Sequence, residues 1–283
     1  MTHTRILGLT FVAMLAFAGN SLLCRLALKN TGIDAASFTS IRLVSAALTL
    51  WVLVQLAHRR FAWSGNWLSA LALFAYATGF SFAYTNIPAA TGALLLFGSV
   101  QTTMIGYGIW QGERLRGLQF LGLVVALVGL IGLVLPGLST PPLASSMLMI
   151  GAGIAWGTYS LRGRGEGDAT MVTAGNFLRT VPATLALSLV MHNHLSLDST
   201  GFLYAIASGA VTSGIGYAVW YKVLPALKAT QAATVQLSVP VIAAVGGILL
   251  LGEPMSLRVV AASVAILSGV ALFIVEKNKQ QSA

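Results

Sequence analysis

The sequence contains very few charged residues. Of its 283 residues, 16 are basic and 7 are acidic, which is 8% of the chain, whereas a soluble domain carries about 25%. Apolar residues make up 57%, and the mean hydropathy is +0.84. A soluble globule of this length could not cover its surface with so few charges, so the composition predicts a membrane protein.

The sequence has a single cysteine, and it has no acidic residue deep within an apolar segment. The single cysteine, Cys24, excludes an intrachain disulfide and any multi-cysteine zinc site. All 7 acids and all 4 histidines fall between apolar segments or at their ends. This pattern argues against a proton relay inside the bilayer, a metal site or an acid–base active site. We therefore predict no cofactor, no metal and no enzymatic activity.

Charges, prolines and glycines divide the chain into ten apolar segments, each close to the roughly 20 residues that span a bilayer. The predicted spans are 6–28, 35–57, 67–86, 88–110, 117–135, 143–162, 169–191, 201–221, 227–251 and 257–275. These runs are continuous and lack the alternation of a transmembrane β-barrel. The predicted fold is an all-α polytopic membrane protein with ten transmembrane helices.

The basic residues are divided unevenly between the two sides of these spans. If the N-terminus is cytoplasmic, three of them (Arg25, Lys29 and Arg258) lie outside. The cytoplasmic group is Arg5, Arg59, Arg60, Arg114, Arg116, Arg162, Arg164, Lys222, Lys228, Lys277 and Lys279. This positive-inside bias predicts that both termini are cytoplasmic. No basic run of five or more occurs, so the net charge of +9 does not indicate a nucleic-acid partner. We expect Arg25 and Lys29 only to snorkel to the interface.

The two halves of the chain repeat each other. Four matches keep their order at offsets of 137 to 140 residues. They pair Gly79-Phe80 with Gly216-Tyr217, Arg42 with Arg179, Ser99-Val100-Gln101 with Ser238-Val239-Pro240, and Gly112-Glu113 with Gly252-Glu253. Because each half holds five spans, the second half enters the membrane inverted, which is typical of secondary transporters. We predict two inverted five-helix repeats, residues 1–138 and 139–283.

The chain resembles the drug/metabolite transporter superfamily, and specifically its EamA-type members, over about residues 6–275. The resemblance is carried by the motifs Phe17-Ala18-Gly19 and Ala155-Trp156-Gly157, the mid-span Arg42 and Arg179, Ser238-Val239-Pro240 and the two Gly-Glu turns. It implies a multi-pass carrier of the bacterial inner membrane. In such carriers helices 1–4 and 6–9 surround a central cavity, and helices 5 and 10 lie at the periphery.

Within the superfamily the chain is most similar to bacterial aromatic amino-acid exporters. The resemblance therefore implies export of aromatic and other neutral amino acids by alternating access, with a nucleoside, nucleotide-sugar or cationic drug as the alternative substrate. An intramembrane enzyme or a channel is disfavoured, since no catalytic group lies at depth and the duplication supplies an internal site. The expected partners are a small-molecule substrate and membrane lipid, with the chain a monomer or a homodimer.

Arg42 and Arg179 are predicted to lie within spans, where a cation costs ~2.5 kcal/mol or more. Two roles stay open for them. Each either attracts a substrate carboxylate or locks helices together through hydrogen bonds to exposed carbonyls.

Aromatic residues with polar neighbours mark the predicted cavity. Tyr76, Phe80 and Tyr84 are spaced by four and share one helix face, which makes a wall for a planar ring. Tyr84 lies near a span end and fits an interfacial belt equally well. The predicted substrate-binding residues are Phe17, Asn20, Arg42, Tyr76, Phe80, Tyr84, Phe97, Gln101, Trp156, Tyr159, Asn176, Arg179 and Tyr217.

Overall fold

The computed structural model describes residues 3–58, 64–112, 117–135, 141–163, 168–227 and 235–281, which are helical apart from short turns. The helices are α1 (His3–Asn30), α2 (Ala35–His58), α3 (Trp67–Tyr84), α4 (Ala89–Trp110), α5 (Gly117–Val134), α6 (Leu143–Arg162), α7 (Ala169–Val190), α8 (Ser199–Val223), α9 (Ser238–Leu251) and α10 (Leu257–Gln281). Short 3₁₀ turns lie at His192–His194 and Leu224–Ala226. No strand occurs within these ranges.

Several predicted features lie outside the described residues. They are Arg59, Arg60, Arg114, Arg116, Arg164 and Lys228 of the cytoplasmic group, Glu113 of the first Gly-Glu turn, and the boundary between the two repeats at 138 and 139.

Side-chain caps and glycines set the helix ends. Asn66, Asp168 and Asp198 precede α3, α7 and α8, and each accepts a hydrogen bond from a backbone N–H of the first turn that follows. At the other end of a helix, Gly252 adopts φ 59° and stops α9, a left-handed conformation that favours glycine.

The outward faces of the helices are apolar. Leu56, Leu189 and Leu249 are 78%, 74% and 76% exposed, which suits lipid rather than water. Within the described part of the chain, six segments have the length and hydropathy of a membrane span: Thr4–Asn30, Ala35–Ala57, Trp67–Tyr84, Ala89–Trp110, Gly117–Val134 and Ser199–Val223. Two shorter apolar segments are Ser238–Leu251 and Leu257–Leu272. The chain is therefore a multi-pass helical membrane protein.

Turns between helices contact each other at both ends of the bundle. At one end Asp34, between α1 and α2, accepts a hydrogen bond from the Ser196 N–H before α8. At the other end the Asn66 N–H, before α3, donates to Asn176 of α7. We call these the Asp34 end and the Asn66 end. Under the predicted topology the Asp34 end is external and the Asn66 end cytoplasmic.

Helices α5 and α10 pack against each other along small residues. A Cβ on Gly269 would lie 2.5 Å from the Gly122 carbonyl oxygen and 2.6 Å from the Ala126 nitrogen, so the two backbones are nearly in contact. The pair meets the rest of the bundle mainly through α4. Both helices are therefore peripheral, as the family resemblance implies.

The ninth predicted span, 227–251, lies partly outside the described residues. Val235 and Gln236 are helical, a turn follows at Leu237, and α9 begins at Ser238. Pro240 lies in the first turn of this helix, where its missing N–H leaves no intrahelical bond unmade. The proline thus follows directly after the turn that separates α9 from the helical residues Val235 and Gln236.

The turn between α1 and α2 predicts a pH effect on stability. Partial burial would raise the pKa of Asp34, but hydrogen bonds from Ser37, Ser196 and Ala36 outweigh it and hold this pKa below its ordinary value. A lowered native pKa stabilises the fold above the unfolded pKa, near 3.9, and this contribution is lost as the pH falls through the native value. Asp34→Asn should lower the melting temperature at pH 6, and the difference from wild type should shrink towards pH 3. A difference that does not change with pH would contradict this assignment.

Candidate functional site

A buried chain of polar groups crosses the middle of the bundle, with Asn20 of α1 at its centre. The Asn20 Nδ2 donates to the Tyr76 hydroxyl at 3.2 Å. Its Oδ1 accepts from Ser208 Oγ at 2.7 Å and lies 3.3 Å from Thr212 Oγ1. All four side chains are buried. A polar group away from water needs such partners, so this hydrogen-bond network fixes α1, α3 and α8 relative to one another.

Arg42 of α2 extends the same network. Its side chain is only 1% exposed. The Nη2 donates to the Tyr76 hydroxyl at 3.1 Å, and the Nε donates to Ser213 Oγ at 3.3 Å. The guanidinium carbon also lies 4.8 Å from the ring centroid of Phe80 and 5.3 Å from that of Tyr76. Arg42 therefore holds Tyr76 and Phe80 in place by hydrogen bonds and cation–π contacts.

A π-helical stretch of α8, Ala207–Ile215, brings the three hydroxyl residues of the network together. Its i→i+5 bonds imply roughly 4.4 residues per turn, so positions 208, 212 and 213 fall within about 80° of one face. On an α-helix, position 213 would point about 140° away from 208. The π geometry thus lets Ser213 reach Arg42 while Ser208 and Thr212 reach Asn20. Rare π turns often mark functional sites.

Aromatic rings pack around Trp156 of α6 beside this network. The Trp156 ring centroid lies 4.9 Å from that of Tyr76, 5.1 Å from Tyr217 and 5.5 Å from Tyr159. Phe17 meets Trp156 edge-on at 6.4 Å and Tyr217 at 5.7 Å. The cluster draws on α1, α3, α6 and α8, so residues from both halves of the chain form one aromatic surface.

A cavity of about 20 Å³ lies between the hydrogen-bond network of Asn20 and the aromatic rings. Its lining is Phe17, Asn20, Ser21, Tyr76, Phe80, Leu96, Phe97, Trp156, Thr212 and Tyr217, all neutral. Sites for small organic ligands occupy about 300 Å³ or more. In this closed conformation the cavity cannot enclose such a solute, and the helices around it must separate to admit one.

The structure brings most of the predicted site residues together. Seven line the cavity: Phe17, Asn20, Tyr76, Phe80, Phe97, Trp156 and Tyr217. Three lie one layer behind it. Arg42 bonds to Tyr76, Tyr84 packs on Phe80 at 4.7 Å, and Tyr159 packs on Trp156. Gln101 is buried one turn beyond Phe97, and its Nε2 has no hydrogen-bond partner among the described residues.

Arg179 and Asn176 are not brought to the cavity. The Arg179 Nη1 donates to the Ser64 and Gly175 carbonyl oxygens, and the Asn176 Oδ1 accepts from the Asn66 N–H at 2.9 Å. Both residues join α7 to the segment before α3 at the Asn66 end. The contacts of Arg179 with carbonyl oxygens are those expected for a residue that locks helices together. Arg42 bonds to side chains instead.

Five residues of the site were missed by the sequence reasoning. Ser21, Leu96 and Thr212 line the cavity, and Ser208 and Ser213 belong to the polar network. The only sequence indication of the α8 group is a set of hydroxyl residues inside an apolar span. Leu96 carries no such indication, since nothing in its chemistry separates it from lipid-facing leucines.

A bundle of membrane-spanning helices around a central cavity that both halves of the chain line is the arrangement expected of a membrane transporter. Comparison with known proteins agrees. The profile of the EamA-like transporter family matches residues 143–275. A Pseudomonas aeruginosa protein described as uncharacterized is 55% identical over 275 residues, which cover 97% of this chain and 96% of that protein. The chain belongs to the EamA-like transporter family.

Two more distant matches add to this. A protein of Salmonella typhimurium named as a probable amino-acid metabolite efflux pump is 23% identical over 199 residues, 65% of this chain and 67% of that protein. One protein of known crystal structure aligns over 97% of this chain and 99% of its own, with a TM-score of 0.68 and 16% identity. The latter shows the fold alone.

Proposed function

We propose that this transporter exports small organic solutes across the bacterial inner membrane, with aromatic and other neutral amino acids foremost. The observation that carries the proposal is the aromatic cluster around the central cavity. Trp156, Tyr76, Tyr217 and Phe17 surround it, and Asn20 supplies a neutral polar contact. Such a lining suits a planar ring with hydrogen-bonding groups. The distant relative from Salmonella typhimurium, named as a probable amino-acid metabolite efflux pump, supports export of amino-acid-like solutes.

The proposed mechanism is alternating access by two inverted five-helix repeats, residues 1–138 and 139–283. Helices matched by the internal repeat run in opposite directions, which supports this organisation. Arg25 near the end of α1 contacts residues of the Asp34 end, and Arg162 at the end of α6 contacts Asn66 and Ser69 at the opposite end. The family profile, at 143–275, covers nearly all of the second repeat.

A binding screen followed by a transport assay tests the substrate proposal. Tryptophan, phenylalanine and leucine should raise the melting temperature of the purified protein, and nucleosides, nucleotide-sugars and cationic drugs should not. In proteoliposomes, labelled tryptophan should exchange with saturable kinetics and without need for a pH gradient. Stabilisation by a nucleoside or drug alone would replace the amino-acid assignment, and strict dependence on the gradient would overturn uncoupled exchange.

The orientation gives a second prediction. Both termini should be cytoplasmic, with the Asp34 end facing outwards, because most basic residues lie on the other side. A reporter fused at residue 1 or 283 should be active in the cytoplasm, and an epitope inserted next to the exposed His194 should be accessible outside. Termini on opposite sides of the membrane would show an odd number of spans and would rule out two five-helix repeats, whereas two external termini would reverse the predicted orientation.

A further inference from the structure

Glu253 is a buried carboxylate that the predicted site does not use. It follows Gly252 in the turn between α9 and α10 and is only 7% exposed. Its Oε1 pairs with Arg25 Nε at 2.9 Å, and its Oε2 accepts the Ala89 N–H, the first of α4, at 2.7 Å. The expectation that Arg25 only snorkels is therefore wrong, because its guanidinium is held inside the protein.

Arg25 ties further segments to this pair. Its Nη1 donates to the Tyr84 and Thr85 carbonyl oxygens, at 2.8 Å and 3.0 Å, where α3 ends. One turn along α1, Lys29 Nζ donates to the Leu251 carbonyl oxygen at the end of α9, at 3.1 Å. One ion pair thus joins α1, α3 and α4 of the first half to the α9–α10 turn of the second half, all at the Asp34 end.

The pair is connected to the cavity through α3. Phe80 lines the cavity, Tyr84 packs on Phe80 one turn further on, and the Tyr84 carbonyl oxygen accepts from Arg25. The other side of Glu253 borders a cavity of about 320 Å³ at the Asp34 end, next to Asn86 and Pro88. Glu253 therefore borders a space that water can enter, and the Arg25 side chain is 11% exposed, so hydration can offset part of the cost of separating the two charges.

We propose that Arg25 and Glu253 form a latch that closes the Asp34 end and separates once in every transport cycle. The proposal rests on the alternating-access function given above. Alternating access requires each end to open in turn. We place the opening of the Asp34 end between α1 and the α9–α10 turn, where this ion pair joins the two halves and must then break. The latch residues lie outside the cavity and act on access to it, not on contact with the solute.

The native cysteine provides the test. Cys24 precedes Arg25 in α1 and is fully buried. Glu253→Gln keeps the size of the side chain and an oxygen for the Ala89 N–H but removes the charge. In the purified full-length protein this variant should increase the rate of Cys24 modification by a polar maleimide at least fivefold. The double variant Arg25→Gln with Glu253→Gln should show no further increase over Glu253→Gln, because the ion pair is already broken in the single variant.

Two controls separate opening of one end from general loosening. Asp198→Asn changes another carboxylate at the Asp34 end that caps its own helix and should leave the Cys24 rate unchanged. Ala70, buried near the Asn66 end, provides a second reporter as Ala70→Cys with Cys24→Ser, and Glu253→Gln should not accelerate its modification. Acceleration at Cys24 alone supports the latch, whereas acceleration at both positions or at neither overturns it. The labelling needs no solute, so its outcome is independent of whether amino acids are transported.

Discussion

Trp156→Ala should weaken the binding of tryptophan and phenylalanine at least about tenfold. The indole ring is packed against Tyr76, Tyr217 and Tyr159 and lines the cavity. A nucleobase stacked on an aromatic side chain contributes ~1–3 kcal/mol, and we take the same scale for the ring of an amino acid, where ~1.4 kcal/mol is a factor of ten. The loss should be smaller for leucine, which has no ring face to stack. Isothermal titration calorimetry with tryptophan, phenylalanine and leucine measures the difference.

A matched tryptophan distinguishes binding from packing. Trp220 is also buried and meets Phe17 at 5.8 Å, but it does not line the cavity. Trp220→Ala should lower the melting temperature while reducing affinity for aromatic and aliphatic solutes equally. Trp156→Phe should keep much of the stacking. If Trp156→Ala also reduced the affinities for aromatic and aliphatic solutes equally, Trp156 would support helix packing without contacting the ring of the solute.

Arg42→Ala should abolish most transport and also destabilise the protein. The guanidinium donates to Tyr76 and Ser213 from a fully buried position, and buried hydrogen bonds to a charged group contribute ~1.5–3 kcal/mol each. A fall in melting temperature of at least ~4 °C is expected. Tyr76→Phe should have the same signature, since its hydroxyl joins Arg42 to Asn20. A double-mutant cycle should therefore give strongly non-additive losses.

The alternative role for Arg42, as an anchor of the substrate carboxylate, predicts a different result. Arg42→Ala would then keep its melting temperature and lose affinity for tryptophan but not for tryptamine, which lacks the carboxylate. Arg179→Ala serves as the comparison, because its contacts are carbonyl oxygens at the Asn66 end. It should reduce stability without selecting between these two solutes.

The wall on α3 shows how far the sequence alone could predict the site. A spacing of four places Tyr76, Phe80 and Tyr84 on one face of any α-helix, and the structure has these rings in series, with centroids 5.4 Å and 4.7 Å apart. Here the local geometry is enough. The same rule fails for α8, because it assumes 3.6 residues per turn, and the π-helical stretch places Ser213 beside Arg42 instead.

The two arginines show what a local pattern cannot decide. Arg42 and Arg179 occupy equivalent positions of the repeat, and the sequence treats them alike. In the structure Arg42 is enclosed by α3 and α8, and Arg179 meets the segment before α3. Which neighbours a side chain meets depends on the rotation of its helix and on segments more than a hundred residues away.

The sequence by itself therefore determined the membrane environment, the helix positions and the family, because these follow from composition and from spacing along one chain. Only the tertiary structure decided which polar groups share a network, how small the cavity is in the closed conformation, and that Glu253 pairs with Arg25. The physical reason is that a segment's preference for the bilayer depends on the hydrophobicity of its own residues. A buried hydrogen bond or ion pair needs two helices to pack at one particular angle and depth.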